Sequence, residues 1–228
     1  GLSGIPFVGA DVGGFQGNCS PELYARWIQL GAFTPFFRAH SEKGTRDHEP
    51  WSFGPEVERI AQKAIRLRYE LLPYLYSEFR QACETGLPVM RPLILDFQDD
   101  RNVYGINDQF MFGRDIMAAP VTHPGDRKRM VYLPLGGWYD FHTKERLEGG
   151  RYIIADAPLD RIPLYVREGA ITHRDSQGNA GRTEAGDVQV MSAGTGIVHS
   201  EYNLEPVVTR IFQIWIMPNQ RGGEASWG

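Results

Sequence analysis

Gly9-Ala10-Asp11-Val12-Gly13-Gly14-Phe15 is followed, one helix later, by Phe36-Phe37-Arg38-Ala39-His40. Ile5, Phe7, Val8 and Ala10 make a short apolar run with β-branched and aromatic bias, which predicts a buried strand. The run ends at a carboxylate, Asp11, and then at two glycines that let the backbone turn sharply. Ser20-Pro21-Glu22 next offers an N-cap, a proline suited to the first helical position and an acid at the positive helix end. Leu23, Tyr24, Trp27 and Ile28 then fall on one face at helical spacing. The stretch therefore reads strand, loop, helix, loop, with Asp11 at the C-terminal end of its strand. In an α/β barrel, ligand-handling residues collect there.

Working outward, the 228 residues suit one large domain or two small ones and carry enough apolar content to bury a core. The net charge of −4 is mild and no block of basic residues appears, which argues against nucleic acid as a partner. Arg127-Lys128-Arg129 is a small local cluster that reads as a solvated turn. Cys19 and Cys83 are too few for a disulfide scaffold and lack metal-ligand spacing, so the expectation is a reducing, cytoplasmic location. No apolar run approaches the roughly 18 residues that span a bilayer, and no membrane partner is expected. The chain lacks an initiator methionine and opens in what reads as mid-strand, from which a fragment is expected.

Ser41 to Ser52 is polar and charged and reads as a loop. A long helix follows from Pro55 to a stop at Gly86, with Val57, Ile60, Ala61, Ala64, Leu67, Leu71, Leu75, Phe79 and Ala82 at three-to-four spacing. Pro73 interrupts it, so either a kink or two abutting helices is expected. Beyond Gly86 the pattern changes to short β runs: Gln109–Gly113, Ile116–Val121, Arg129–Leu133, Trp138–His142, Tyr152–Ile154 and Ile162–Val166. Glycine- and proline-rich turns separate them, which predicts an antiparallel sandwich or barrel. A domain boundary falls near residues 86–92. Trp51 and Trp138 read as packing residues, and Asp96, Asp99 and Asp100 as solvated loop acids.

Residues 1 to about 171 resemble the C-terminal part of glycoside hydrolase family 31, the retaining α-glucosidases and α-xylosidases. The pieces that carry the resemblance are GADVGGF, RWIQLGAFTPFFRAH, RYELLPYLYSEF, FMFGRDIMAAPV, YLPLGGWYDF and IPLYVREGAI. It implies an α/β then all-β fold: residues 1–86 as the last strands and helices of a (β/α)8 barrel, and 87–171 as an antiparallel β-sandwich behind it. The expected partner is an α-linked oligosaccharide or glucoside, with no cofactor. Retaining cleavage needs two carboxyl groups about 5–5.5 Å apart. In the resembled family both aspartates lie upstream of the stretch that opens this chain. What carries over is the subsite for the cleaved sugar ring: Asp11 accepting from ring hydroxyls, Phe15 on the apolar face, His40 bonding a hydroxyl, and Arg38 ordering the loop by pairing with a carboxylate. Read without the resemblance, a lone Asp such as Asp11 is more often a turn or cap residue and a lone His such as His40 usually a structural one, while Phe15 is equally a core aromatic.

Residues from about 168 to 221 resemble the pirin family of cupins, on EGAITHRDSQGN, AGDVQVMSAGTGIVHSEYN and FQIWIMPN. By that resemblance 172–228 is a partial cupin β-barrel, related to proteins that oxidise an aromatic substrate such as a flavonol. His199 and Glu201 match two of the four metal ligands, and two-residue spacing on a strand puts both on one face. The earlier His-x-His pair is missing, so at most weak divalent-metal binding is expected. The resemblances overlap at Glu168–Ile171, as in a join between a truncated glycosidase and a truncated pirin. Such a barrel fragment exposes strand edges and apolar helix faces, from which self-association is expected.

Overall fold

A computed structural model describes residues 3, 5–168, 170–175, 180–184, 191–192, 199–202 and 226–227. Strands β1 (Gly9–Val12) and β2 (Phe36–Ala39) pair in parallel, with Asp11 opposite Arg38. A parallel pair needs a crossover, and α1 (Pro21–Gly31) supplies it. Ser20 caps this helix, its hydroxyl accepting from the Leu23 N–H at 3.2 Å. The buried stripe of α1 is broader than its spacing predicts. Tyr24, Ala25 and Ile28 are buried, but so are Arg26 and Gln29, while Leu23 is exposed.

The expectation of a buried opening strand needs correcting. Of β1 only Val12 is buried, and Ile5 and Phe7 before it are 58% and 56% exposed. The reason is that β1 has a partner strand on one edge only among the described residues.

Helices α2 (Pro55–Glu70) and α3 (Leu72–Thr85) abut at Leu71. Pro73 sits in the first turn of α3, where its missing N–H has no intrahelical acceptor to serve, so the chain starts a new helix instead of kinking one. Gly86 closes α3 in the left-handed region at φ 77°, its N–H returning to the Ala82 carbonyl.

The next elements are β3 (Met90–Pro92), β4 (Phe110–Phe112), β5 (Ile116–Ala118), β6 (Lys128–Leu133), β7 (Gly137–Asp140), β8 (Arg146–Glu148), β9 (Arg151–Asp156) and β10 (Leu164–Arg167). Six of them form one sheet in the order β3-β4-β5-β10-β7-β8, and β6 pairs with β9. All the recorded pairings among these strands are antiparallel. The centre of the six-stranded sheet is covered on both faces, which explains its unbroken apolar triplets. Phe110, Phe112, Ile116, Ala118 and Leu164 join the core shared with α1, α2 and α3. Their neighbours Met111, Met117 and Tyr165 point the other way, into a second core with Trp138, Val131, Leu133 and Ala155. The helices and the sandwich therefore share one sheet as their common wall.

Several side chains sit differently from expectation. Trp138 is fully buried, but Trp51, in a single 3-10 turn, is 66% exposed and does not pack. Asp100 is buried and accepts hydrogen bonds from Tyr132 and Asn102, and Asp96 pairs with Arg91, so neither is a solvated loop acid. Lys128 and Arg129 open β6, and Arg129 pairs with Asp108, so that cluster is not a turn.

In the C-terminal part, β11 (Ala170–Asp175) pairs antiparallel with β12 (Ala180–Glu184) and β14 (His199–Tyr202), and β13 (Met191–Ser192) pairs with β15 (Ser226–Trp227). These small sheets do not make up the expected partial cupin barrel among the described residues.

Candidate functional site

The parallel register of β1 and β2 brings two of the four residues expected at a sugar subsite face to face. Arg38 Nε donates to Asp11 Oδ1 at 2.6 Å. Arg38 also lies over the Phe36 ring, 5.3 Å from its centroid, which adds a cation–π contact. Its carboxylate partner is thus Asp11 itself. With Oδ1 engaged, Oδ2 of Asp11 has no partner among the described residues.

After Val12 the chain turns through Gly13 and Gly14, both near φ +90°, a conformation that side chains rarely adopt. This turn carries Phe15 back beside His40, ring centroids 5.3 Å apart. Phe15 is 43% exposed and is not a core aromatic. The imidazole of His40, also exposed, has no hydrogen-bond partner among the described residues. All four residues therefore gather at one strand end, presenting a free carboxylate oxygen, an aromatic ring and an imidazole.

Beneath them lies an anchor that the sequence reading placed in a polar loop. His48 is 4% exposed, its Nδ1 is 3.0 Å from the Val12 carbonyl, and its Nε2 is 3.5 Å from Cys19 Sγ. A carbonyl only accepts, so Nδ1 carries the proton and Nε2 accepts from the Cys19 thiol. Burial pushes the Cys19 thiol up, which keeps it protonated for that role. The His48 carbonyl accepts from the Tyr24 hydroxyl at 2.8 Å, and Tyr24 stacks on Phe53 at 4.1 Å. A Cβ on Gly13 would meet the His48 ring at 2.9 Å, so this position is closed to any larger residue. No local sequence feature marks His48; its burial depends on the aromatic residues of α1 and the Pro50–Phe53 turn.

A second support comes from α2. Arg68, buried and over the Phe37 ring at 5.9 Å, donates to the carbonyls of Ala32, Thr34 and Pro35. It satisfies acceptors at the end of α1 and fixes the approach of the chain to β2, hence the placement of Arg38 and His40.

The chain is similar to known proteins along most of its length. The sequence model described as "Glycosyl hydrolases family 31 TIM-barrel domain" matches residues 1–78, and that of the family 31 C-terminal domain matches 86–172. Two consecutive stretches of the chain thus resemble domains of glycosyl hydrolase family 31. Members of this family are glycoside hydrolases acting on O-glycosyl bonds. Alpha-glucosidase 2 of Bacillus thermoamyloliquefaciens is 49% identical over 170 residues, covering 75% of this chain and 22% of that protein. An alpha-xylosidase of Saccharolobus solfataricus is 46% identical over 176 residues, covering 75% and 24%. Among solved structures, a Flavobacterium johnsoniae family 31 dextranase complexed with glucose aligns with a TM-score of 0.72 at 38% identity, over 84% of this chain and 25% of the dextranase. A family 31 alpha-xylosidase from a soil metagenome, complexed with xylose, gives 0.69 at 38% identity, over 73% and 28%. The chain thus spans about a fifth to a quarter of the curated relatives it matches.

A pirin model matches residues 161–216, overlapping the family 31 match at 161–172. In β14, His199 and Glu201 stand opposite Asp175 and His173 of β11 in backbone register, and their side chains lie outside the described residues. Two ligands do not make a catalytic metal site. Among the described residues no three His, Cys, Asp or Glu converge on a common point. No helix among them is long and apolar enough to cross a membrane.

Proposed function

We propose that residues 1–168 are part of a retaining α-glycosidase that removes terminal α-linked glucose or xylose, and that Asp11, Phe15, Arg38 and His40 line the subsite for the sugar ring. The observation that carries this reading is the Arg38–Asp11 ion pair at the C-terminal end of two parallel strands, with Phe15 and His40 beside it. Arg38 fixes the carboxylate of Asp11, leaving Oδ2 to accept from a ring hydroxyl. His40 bonds a neighbouring hydroxyl, and Phe15 covers the apolar face of the pyranose. Hydrogen bonds of this kind accelerate cleavage only as far as they tighten when the oxocarbenium character develops. In this reading the nucleophile and the acid/base belong to sequence upstream of Gly1 in the complete enzyme, so the 228 residues bind sugar without cutting it. The two free cysteines support a cytoplasmic location.

The test is a heteronuclear NMR titration of the chain with methyl α-D-glucoside. Saturable shifts at Asp11, Phe15 and His40 that vanish in Asp11→Asn support the reading. Unmoved resonances at the millimolar concentrations expected for one sugar unit contradict it.

A second reading rests on the pirin match. It takes residues 172–228 as a metal-dependent cupin remnant with His199 and Glu201 as weak divalent ligands. Stoichiometric iron or nickel in the purified chain would favour it, and its absence after metal loading would dismiss it.

A further inference from the structure

A cavity of about 390 Å³ lies between α1, α2 and the segments around Phe141–His142 and Asp160–Leu164, away from Asp11 and His40. This size falls within the range of small-molecule sites. Gln29 lines it and is 4% exposed. Its Nε2 donates to the Leu159 carbonyl at 2.7 Å, which fixes the orientation of the amide, since a carbonyl only accepts. Oε1 then remains buried without a partner among the described residues. A buried amide oxygen without a hydrogen bond is costly, so the site calls for a donor.

The surroundings restrict that donor. An unprotonated anionic oxygen only accepts, and Oε1 would repel it. A cation would approach Lys63, Arg66 and Arg161, which outnumber the acids Glu70 and Asp160 on the same walls. Lys63 is already paired with Asp160 at 2.8 Å, and both side chains are about half exposed, which puts this pair at the mouth. His142 Nε2 lies 2.8 Å from the Ile162 carbonyl and must carry the proton, so Nδ1 is left as an acceptor. Although the residue is partly open to solvent, desolvation of the His142 ring lowers its pKa, which favours the neutral imidazole. Apart from Glu70, the remaining walls are apolar and include the Phe141 ring. Hydroxyl donors and acceptors around an apolar face are the chemistry of a neutral sugar.

We propose that this cavity is a second saccharide-binding site, in which a sugar hydroxyl donates to Gln29 Oε1, another to His142 Nδ1, and the ring lies against Phe141. It does not depend on the role assigned to Asp11. A site there would hold a further unit of a glucan at the junction of helices and sandwich.

The test uses the full chain and methyl α-D-glucoside as the probe, read by NMR at Ala64, His142 and Ile162. Expected are saturable shifts that persist in Asp11→Asn and weaken roughly tenfold or more in Ala64→Leu, which fills the cavity from the α2 side. Lys63→Met, at the exposed mouth, provides a second variant that spares the core and is expected to weaken binding about threefold. If sugar leaves these three resonances unmoved, an ordered water alone satisfies Gln29 and the proposal fails. Shifts indifferent to both variants overturn it as well. Loss of shifts at Asp11 and His40 with the cavity shifts intact would sink the first site and not this one.

Discussion

Arg38 and Asp11 are register partners on adjacent parallel strands, and the 2.6 Å contact between Nε and Oδ1 ties the two halves of the proposed sugar subsite together. The side chains are 48% and 20% exposed, so the pair adds little to stability, about 0–1 kcal/mol. Its effect is on orientation. Arg38→Lys replaces a planar donor by a point charge on a flexible stem. The expected outcome is roughly tenfold weaker sugar binding with an almost unchanged melting temperature, measured by NMR titration and calorimetry. A variant that binds normally would show that the ion pair is incidental.

The two thiols differ in reactivity. Cys83 is exposed, whereas Cys19 is buried against His48 and its thiol is pushed up by burial. Thiolate is the reacting form, so one thiol is expected to react promptly with a disulfide reagent and the other only when the protein is unfolded by denaturant. Prompt reaction of both would mean that the His48 anchor is open.

Arg26 carries the charge of α1 into the sandwich. It is 7% exposed, and its guanidinium donates to the carbonyls of Asp126, Ala157, Pro158 and Arg161. Burial lowers its pKa, yet four acceptors keep the cation in place. Arg26→Leu orphans these carbonyls and is expected to cost about 3 kcal/mol or more, roughly 6–12 °C in melting temperature. A smaller loss would mean that water replaces the guanidinium.

Asp100 gives a pH dependence with a definite sign. Burial alone would raise its pKa, but hydrogen bonds from Tyr132 and Asn102 outweigh that and the net shift is downward. The folded value is therefore below the unfolded one of about 3.9. Its stabilisation is complete above the unfolded value and is lost as pH falls through the folded value. Urea denaturation of the parent and Asp100→Asn should show a gap near neutral pH that narrows on acidification below about pH 4. A gap constant down to low pH would contradict the shift.

The exposed apolar residues beside β1 are expected to promote association. Phe7 contacts Phe36 and Phe79 at 5.6 and 5.5 Å between centroids while remaining 56% exposed. Size-exclusion chromatography is expected to show concentration-dependent self-association that Phe7→Ser reduces. A monomer at all concentrations, with a sharp melting transition above about 65 °C, would count against it.

Much of this was legible because its causes are local. Ser20, Pro21 and Gly86 mark helix ends by backbone chemistry, and the apolar triplets of β4 and β5 mark a sheet covered on both faces. The gathering of Asp11, Phe15, Arg38 and His40 at one strand end follows from the strand–helix–strand motif that carries them. That Arg38 would choose Asp11 as its carboxylate was not legible, because strand register is a long-range outcome. His48 and Arg68 escaped notice for the same reason. Each serves backbone carbonyls distant in sequence, and no nearby residue signals it. Trp51 misled in the opposite sense: a large aromatic suggests packing, but its 3-10 turn buries Phe53 instead.

The most direct measurement is hydrolysis of p-nitrophenyl α-D-glucoside by the purified 228-residue chain, alongside sugar binding in the same sample. The account predicts binding that depends on Asp11 and no release above background. Turnover at a typical enzymatic rate, on the order of 1 per second or faster, would contradict it, because the bond-cleaving carboxylates would then have to lie within these residues.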